Sequence, residues 1–207
     1  MKIWGRENSV NVEKVLWACE ELDIAYQRVD AGGQFGIVDT PAYRALNPNG
    51  LVPTVEVDGL VMWESNAIVR YLANKHGQGT LWPVDPAARF EADRWMDWSA
   101  TMFWPAFRDL FWNLVRTAPE KRDADAMERS RARSAELFGY LDAHLSLSGR
   151  PYIAGEQFSM GDIPMGCAVW RWMSLPVERP DYPALKRWFE TLSERPCYQK
   201  AVMKPLS

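Results

Sequence analysis

Asn47-Pro48-Asn49-Gly50-Leu51-Val52-Pro53-Thr54-Val55-Glu56-Val57-Asp58-Gly59-Leu60-Val61-Met62-Trp63-Glu64-Ser65-Asn66-Ala67-Ile68 decides how this chain folds. It opens on a turn, because Pro48 fixes one φ and Asn49-Gly50 tolerate left-handed backbone. Two runs follow, Val52 to Val57 and Leu60 to Trp63, separated by Asp58-Gly59, a dipeptide suited to a tight hairpin turn. A helix then starts at Ser65, presents Ile68, Val69, Tyr71 and Leu72, and ends near Gly77.

Upstream, Met1 to Trp4 is a short apolar-rich run that stops at Gly5, a strand signal. Asn11 opens a helical pattern with Val12, Val15, Leu16, Cys19 and Leu22 on one face, and Ala25 to Val29 reads as a second strand. Asp30-Ala31-Gly32-Gly33 breaks regular structure, and a long loop is expected up to Asn47. The order strand-helix-strand-loop-strand-strand-helix suits one small mixed sheet with helices packed on it.

Downstream, Pro83-Val84-Asp85-Pro86 is a stiff connector of the interdomain kind, and beyond it the pattern is helical only. Ala87 to about Arg116, kinked or interrupted by Pro105, and Ala124 to Leu147 read as two long bundle helices. Shorter helices are expected near Gly161 to Leu175, Ala184 to Glu194 and Pro196 to Met203. Phe158-Ser159-Met160-Gly161-Asp162-Ile163 has the form of a capping box with a hydrophobic staple, a structural signal. The expected fold class is α/β plus all-α, with a first domain over residues 1–80 and a helical domain over residues 87–207.

Composition removes several functions. A net charge of −3 and a pI near 5.5 leave no broad basic field, which excludes nucleic acid as a main partner. No apolar run approaches the ~18 residues of a membrane span, and Lys2, Arg6, Glu7 and Asn8 interrupt any apolar leader, so a cytoplasmic protein without a membrane partner is expected. Cys19, Cys167 and Cys197 are too scattered for a disulfide framework, and His76 and His144 lie outside any ligand cluster, so no metal is expected. Most of the eleven tryptophans are expected in the core.

Three short motifs can carry chemistry. Val52-Pro53 fits either an edge strand with a trans proline or a cis bond that turns the Val52 N–H and C=O outward to receive an extended peptide. Glu64-Ser65 at a helix start can simply cap it; equally, the free amides and the Ser65 hydroxyl suit a carboxylate while Glu64 suits an ammonium group. Asn8-Ser9-Val10-Asn11 precedes the first helix and fits a cap or a set of hydrogen-bond donors to a substrate. Trp104, Phe107 and Arg108, in an aromatic segment of the second domain, are candidates for an interdomain pocket wall, and aromatic residues at this spacing also build cores.

These motifs resemble those of the glutathione transferase superfamily along nearly the whole chain. Asn47 to Pro53 resembles its cis-proline segment, Glu64 to Ile68 its glutamate-serine signature, and Phe158 to Ile163 its helical-domain staple. The resemblance implies a thioredoxin-like N-terminal domain, a C-terminal helical bundle and glutathione as co-substrate. Val52, beside Pro53, would pair with the cysteinyl backbone, Glu64 and Ser65 would hold the γ-glutamyl end, and Gln34 would reach the glycyl carboxylate. The Asn8 to Asn11 loop contains no tyrosine and resembles the serine-type and bacterial branches, which makes Ser9 the first candidate for thiol activation and Asn11 the second. It also contains no cysteine, which excludes a self-contained dithiol mechanism. The implied partners are glutathione, a small hydrophobic electrophile and a second copy in a homodimer. Two other functions stay open: glutathione-dependent disulfide reduction, and a non-catalytic binding module.

Overall fold

A computed structural model describes all 207 residues. Strand β1 (Lys2–Trp4) lies parallel to β2 (Gln27–Val29) and antiparallel to β3 (Thr54–Val57), which pairs antiparallel with β4 (Leu60–Trp63). The sheet order is therefore β2-β1-β3-β4. Parallel neighbours require a crossover, and α1 (Val10–Glu21) supplies it. Helix α3 (Ser65–His76) packs on α1, and Ile3, Val12, Val15, Val55, Ile68 and Val69 close the core between helices and sheet.

The expected loop between β2 and β3 contains a helix, α2 (Pro41–Leu46). Thr40 caps it by accepting from the Tyr43 N–H at 3.3 Å, and Pro41 sits at its first position, where a missing N–H costs nothing. Six residues are too few for a convincing apolar period. This short helix braces the segment before Pro53: the Tyr43 hydroxyl donates to Leu51 O at 2.7 Å, and Asn47 Nδ2 donates to the same oxygen at 3.0 Å.

The second domain contains α4 (Pro86–Trp98), α5 (Trp104–Arg116), α6 (Ala124–Ser148), α7 (Asp162–Ser174), α8 (Pro183–Ser193) and α9 (Pro196–Ala201). A π-helical segment, Ser99–Phe103, separates α4 from α5. Pro105 has no N–H to give to Thr101 and its ring crowds that carbonyl, so the wider turn relieves both problems. Asp162 accepts from the Ser159 N–H at 3.0 Å, one half of the expected capping box, while the Ser159 hydroxyl accepts from the Gly161 N–H and α7 begins at Asp162. Asp162 also accepts from the Ile153 N–H at 2.9 Å and Trp188 Nε1 at 3.0 Å. Burial pushes its carboxyl up to about 6, and those bonds oppose the shift. Of the tryptophans, Trp17, Trp95, Trp172 and Trp188 are buried, whereas Trp63 and Trp112 are exposed. Trp82, Trp98, Trp104 and Trp170 pack half-buried against the core, so most of the set contributes to it as expected, although so large an indole is seldom covered completely.

The domains are joined through α1. Trp17 packs against Phe158 and Tyr198, and Glu13 forms a bidentate pair with Arg171 of α7 at 2.6 and 2.8 Å, both side chains 2 % exposed. Burial pushes the Glu13 carboxyl up while the guanidinium opposes it.

Candidate functional site

The Val52-Pro53 peptide bond is cis. Val52 precedes β3, and neither its N–H nor its C=O takes part in a backbone hydrogen bond. Gly5 makes room here: a Cβ on it would stand 2.4 Å from Val12 Cγ2 and 3.3 Å from Val52 Cβ. Its missing side chain lets the first loop, the start of α1 and the cis segment converge.

Glu64 occupies left-handed backbone at φ 70°, rare for a glutamate, and stands exposed just before α3. Ser65 is the first helical residue, so its N–H and those of Asn66 and Ala67 have no partner within the helix. Its hydroxyl donates to Asn11 Oδ1 at 3.3 Å, bringing the glutamate-serine motif against the start of α1.

Ser9 is the N-cap of α1, and its carbonyl accepts from the Glu13 N–H at 2.8 Å. Its hydroxyl makes no capping bond, although serine commonly does so there. Asn11 Oδ1 accepts from Lys14 Nζ at 3.1 Å as well as from Ser65. With the oxygen held by two donors, the Asn11 amide nitrogen remains available as a donor. Lys14 is 7 % exposed, and burial pushes its ammonium down to about 8, with Glu64 among the charges that oppose the shift. Ser9 at the N-cap and Asn11 in the first turn both stand at the start of α1, where free backbone N–H groups favour an anion.

The candidate wall residues separate. Phe107 is fully buried among Phe103, Phe111 and Trp172, so its ring belongs to the core. Half-buried Trp104 packs on Phe107 and Phe111. Arg108 is exposed, pairs with Asp109 at 3.3 Å and lies over the Trp112 ring. Gln34 sits on the exposed turn Gly33–Phe35, in a cavity of about 270 Å³ with Arg6, Asn8 and Arg116.

Residues 8–75 match the glutathione S-transferase N-terminal domain, and residues 99–196 match the glutathione S-transferase C-terminal domain. The chain belongs to the glutathione S-transferase family. Glutathione S-transferase GstB of Escherichia coli (strain K12) is 43 % identical over 207 residues, covering 99 % of each chain. The theta class glutathione S-transferase of Xanthomonas axonopodis pv. citri, solved with glutathione bound, is 50 % identical, with a TM-score of 0.96 over 100 % of this chain and 98 % of that one. The disulfide-bond oxidoreductase YfcG of Escherichia coli (strain K12) is 29 % identical over 205 residues, covering 94 % of this chain and 91 % of that one.

This transferase holds several residues at the cleft that its sequence did not single out. Lys14 carried a weak signal, a lysine three residues after Asn11 on a helix whose other buried side chains, Glu13 apart, are apolar. Arg6, Arg116 and Arg171 carried none, because only the fold brings them together. No helix of the enzyme is long and apolar enough to cross a membrane, and no group of three or more His, Cys, Asp and Glu side chains is arranged to hold a metal ion.

Proposed function

We propose that this enzyme binds glutathione along Val52, ionises its thiol at the start of α1, and directs the thiolate at a small electrophile held between the domains. The carrying observation is the fixed Asn11 amide, whose oxygen is occupied by Lys14 and Ser65 so that its nitrogen is left to donate to sulfur. Val52 pairs with the cysteinyl backbone as an added strand beside Pro53, while Glu64 takes the γ-glutamyl ammonium and the Ser65 amide its carboxylate. A free thiol titrates near 8.5; donors from Ser9 and Asn11 and the helix end, lowering it by about two units, supply roughly 2.7 kcal/mol. The thiolate then displaces a leaving group or adds to an activated carbon, with desolvation and proximity contributing to the rate. An apolar portion of the electrophile rests against Trp104, with Arg108 at the outer rim and Phe107 behind.

Titration of the bound thiol through its ultraviolet absorbance tests the assignment. Asn11→Ala is expected to raise the midpoint by about one unit or more and Ser9→Ala to raise it less, since Ser9 lacks the second-residue support that fixes Asn11. Midpoints equal to the parent in both variants would refute it. Turnover of a glutathione mixed disulfide with no turnover of a chlorinated aromatic would instead favour disulfide reduction, the activity named for the YfcG relative.

A homodimer belongs to the same proposal. Leu51 and Phe90 are 64 % and 63 % exposed, and Trp63 is also open, large apolar side chains that a partner copy would cover. Three unpaired cysteines suit a reducing compartment such as the cytoplasm. The domain limits proposed are residues 1–80 and 87–207, on either side of the proline-flanked connector.

A further inference from the structure

The cavity between the loop after β1, the loop after β2 and the end of α5 has no apolar residue in its lining: Arg6, Asn8, Gly33, Gln34, Arg116 and Ser207 enclose about 270 Å³. Two guanidinium groups face a space that an apolar electrophile would leave unsatisfied. Neither is paired with an Asp or Glu side chain. Arg6 Nη1 donates to Asn8 Oδ1 at 2.8 Å, and Arg116 donates to Ser207 O at 3.1 and 3.3 Å from Nη2 and Nε. Glu7 of the same loop pairs with Lys204 at 2.9 Å, and Glu13 of α1 with Arg171. Burial holds both guanidinium groups below their ordinary range; Arg171 repels each, Arg6 also repels Arg116, and Glu13 opposes the shift on Arg6. An incoming anion would be received by charge-assisted bonds from both groups.

We infer that the second substrate carries a carboxylate or comparable anion, which Arg6 and Arg116 bind. The inference rests on the glutathione assignment above and adds the class of its co-substrate. Asn8 lines this cavity and immediately precedes Ser9, so an anion held there lies on the thiol side of the cleft. Buried Phe111 links the two residues from behind: the Arg116 guanidinium lies 5.5 Å from its ring and the Trp104 ring 6.2 Å away. An aromatic electrophile with a carboxylate matches both parts, its ring against Trp104 and its charge on the arginines. For a chloronitrobenzoate the thiolate sulfur bonds to the chlorine-bearing carbon, chloride leaves with the bonding electrons, and the thiol proton has already gone to solvent.

The test is calorimetric binding of two glutathione conjugates, made chemically from a chloronitrobenzoate and from the matching chloronitrobenzamide, together with glutathione itself. The parent is expected to bind the carboxylate conjugate about ten-fold more tightly than the carboxamide. Arg116→Gln is expected to abolish most of that preference and Arg116→Lys to keep part of it, and Arg6→Gln should act in the same direction. Equal affinities for the two conjugates in the parent would overturn the inference while leaving the glutathione assignment standing. A large loss of affinity for glutathione itself in Arg116→Gln, with the conjugate preference intact, would overturn it too, because the cavity would then hold the glycyl carboxylate. Failure of the parent to bind glutathione or either conjugate removes the underlying assignment together with this one.

Discussion

Replacing Lys14 by methionine separates electrostatics from shape, because the methionine fills the same channel without the charge or the bond to Asn11. An amide nitrogen stands about 2.3 Å from its oxygen, and an N–H···S bond spans about 3.4 Å, so a sulfur held by Asn11 lies roughly 8 Å from the ammonium. At an effective dielectric of about 20 that attraction is about 2 kcal/mol, or about 1.5 units in the thiol pKa. Lys14→Met is therefore expected to raise the midpoint of the bound thiol by about 1 to 1.5 units in the absorbance titration and to lower turnover at neutral pH in proportion to the lost thiolate. The same substitution should stabilise the fold. Burial lowers Lys14 from 10.5 to about 8, so between those values the unfolded chain holds a proton that the folded chain has released. Stability from this group rises with pH across the window, and below it a cost of roughly 3 kcal/mol is fully present. After about 1 kcal/mol for the lost bond to Asn11, the variant should exceed the parent by roughly 2 kcal/mol in urea unfolding at neutral pH, a margin that shrinks as the pH rises. An unmoved thiol midpoint would refute the electrostatic account of the site, and a loss of stability at neutral pH would refute the account of Lys14.

Arg171→Met strands a buried Glu13 carboxylate, and urea unfolding should show a loss of about 3 to 5 kcal/mol. Adding Glu13→Leu should recover much of it; a double variant as weak as the single would show that packing, not charge, makes the contact. Asp162→Ala removes the acceptor of three N–H groups and should cost about 3 kcal/mol or more in the same assay, because buried donors lose their partner. Its bound-thiol midpoint should match the parent, and a shift there would mean that this cap reaches the active site.

Elements with a long apolar period were legible in the sequence: α3 and α6 each present one face to the core over three or more turns, and α1, with the same period, is buried nearly all round between the two domains. The hairpin declared itself through Asp58-Gly59, and the capped start of α7 through Ser159 and Asp162. Helix α2 escaped because six residues give no period, although Thr40-Pro41 was a start signal. The single helix expected over residues 87–116 gained a π segment, since Pro105 marks where backbone bonds fail without saying how the chain widens around the defect.

At the cleft the division is sharper. Local sequence determined that Val52 precedes a proline, that Glu64-Ser65 opens a helix, and that Ser9 and Asn11 stand at the mouth of another, since each is a property of a few consecutive residues. Only the tertiary structure decided that Lys14 and Ser65 grip the Asn11 oxygen, that Phe107 lies in the core, and that Arg6 and Arg116 share a cavity. These contacts join residues up to 110 positions apart, and side-chain direction and charge environment across such distances are set by packing, which no local pattern encodes.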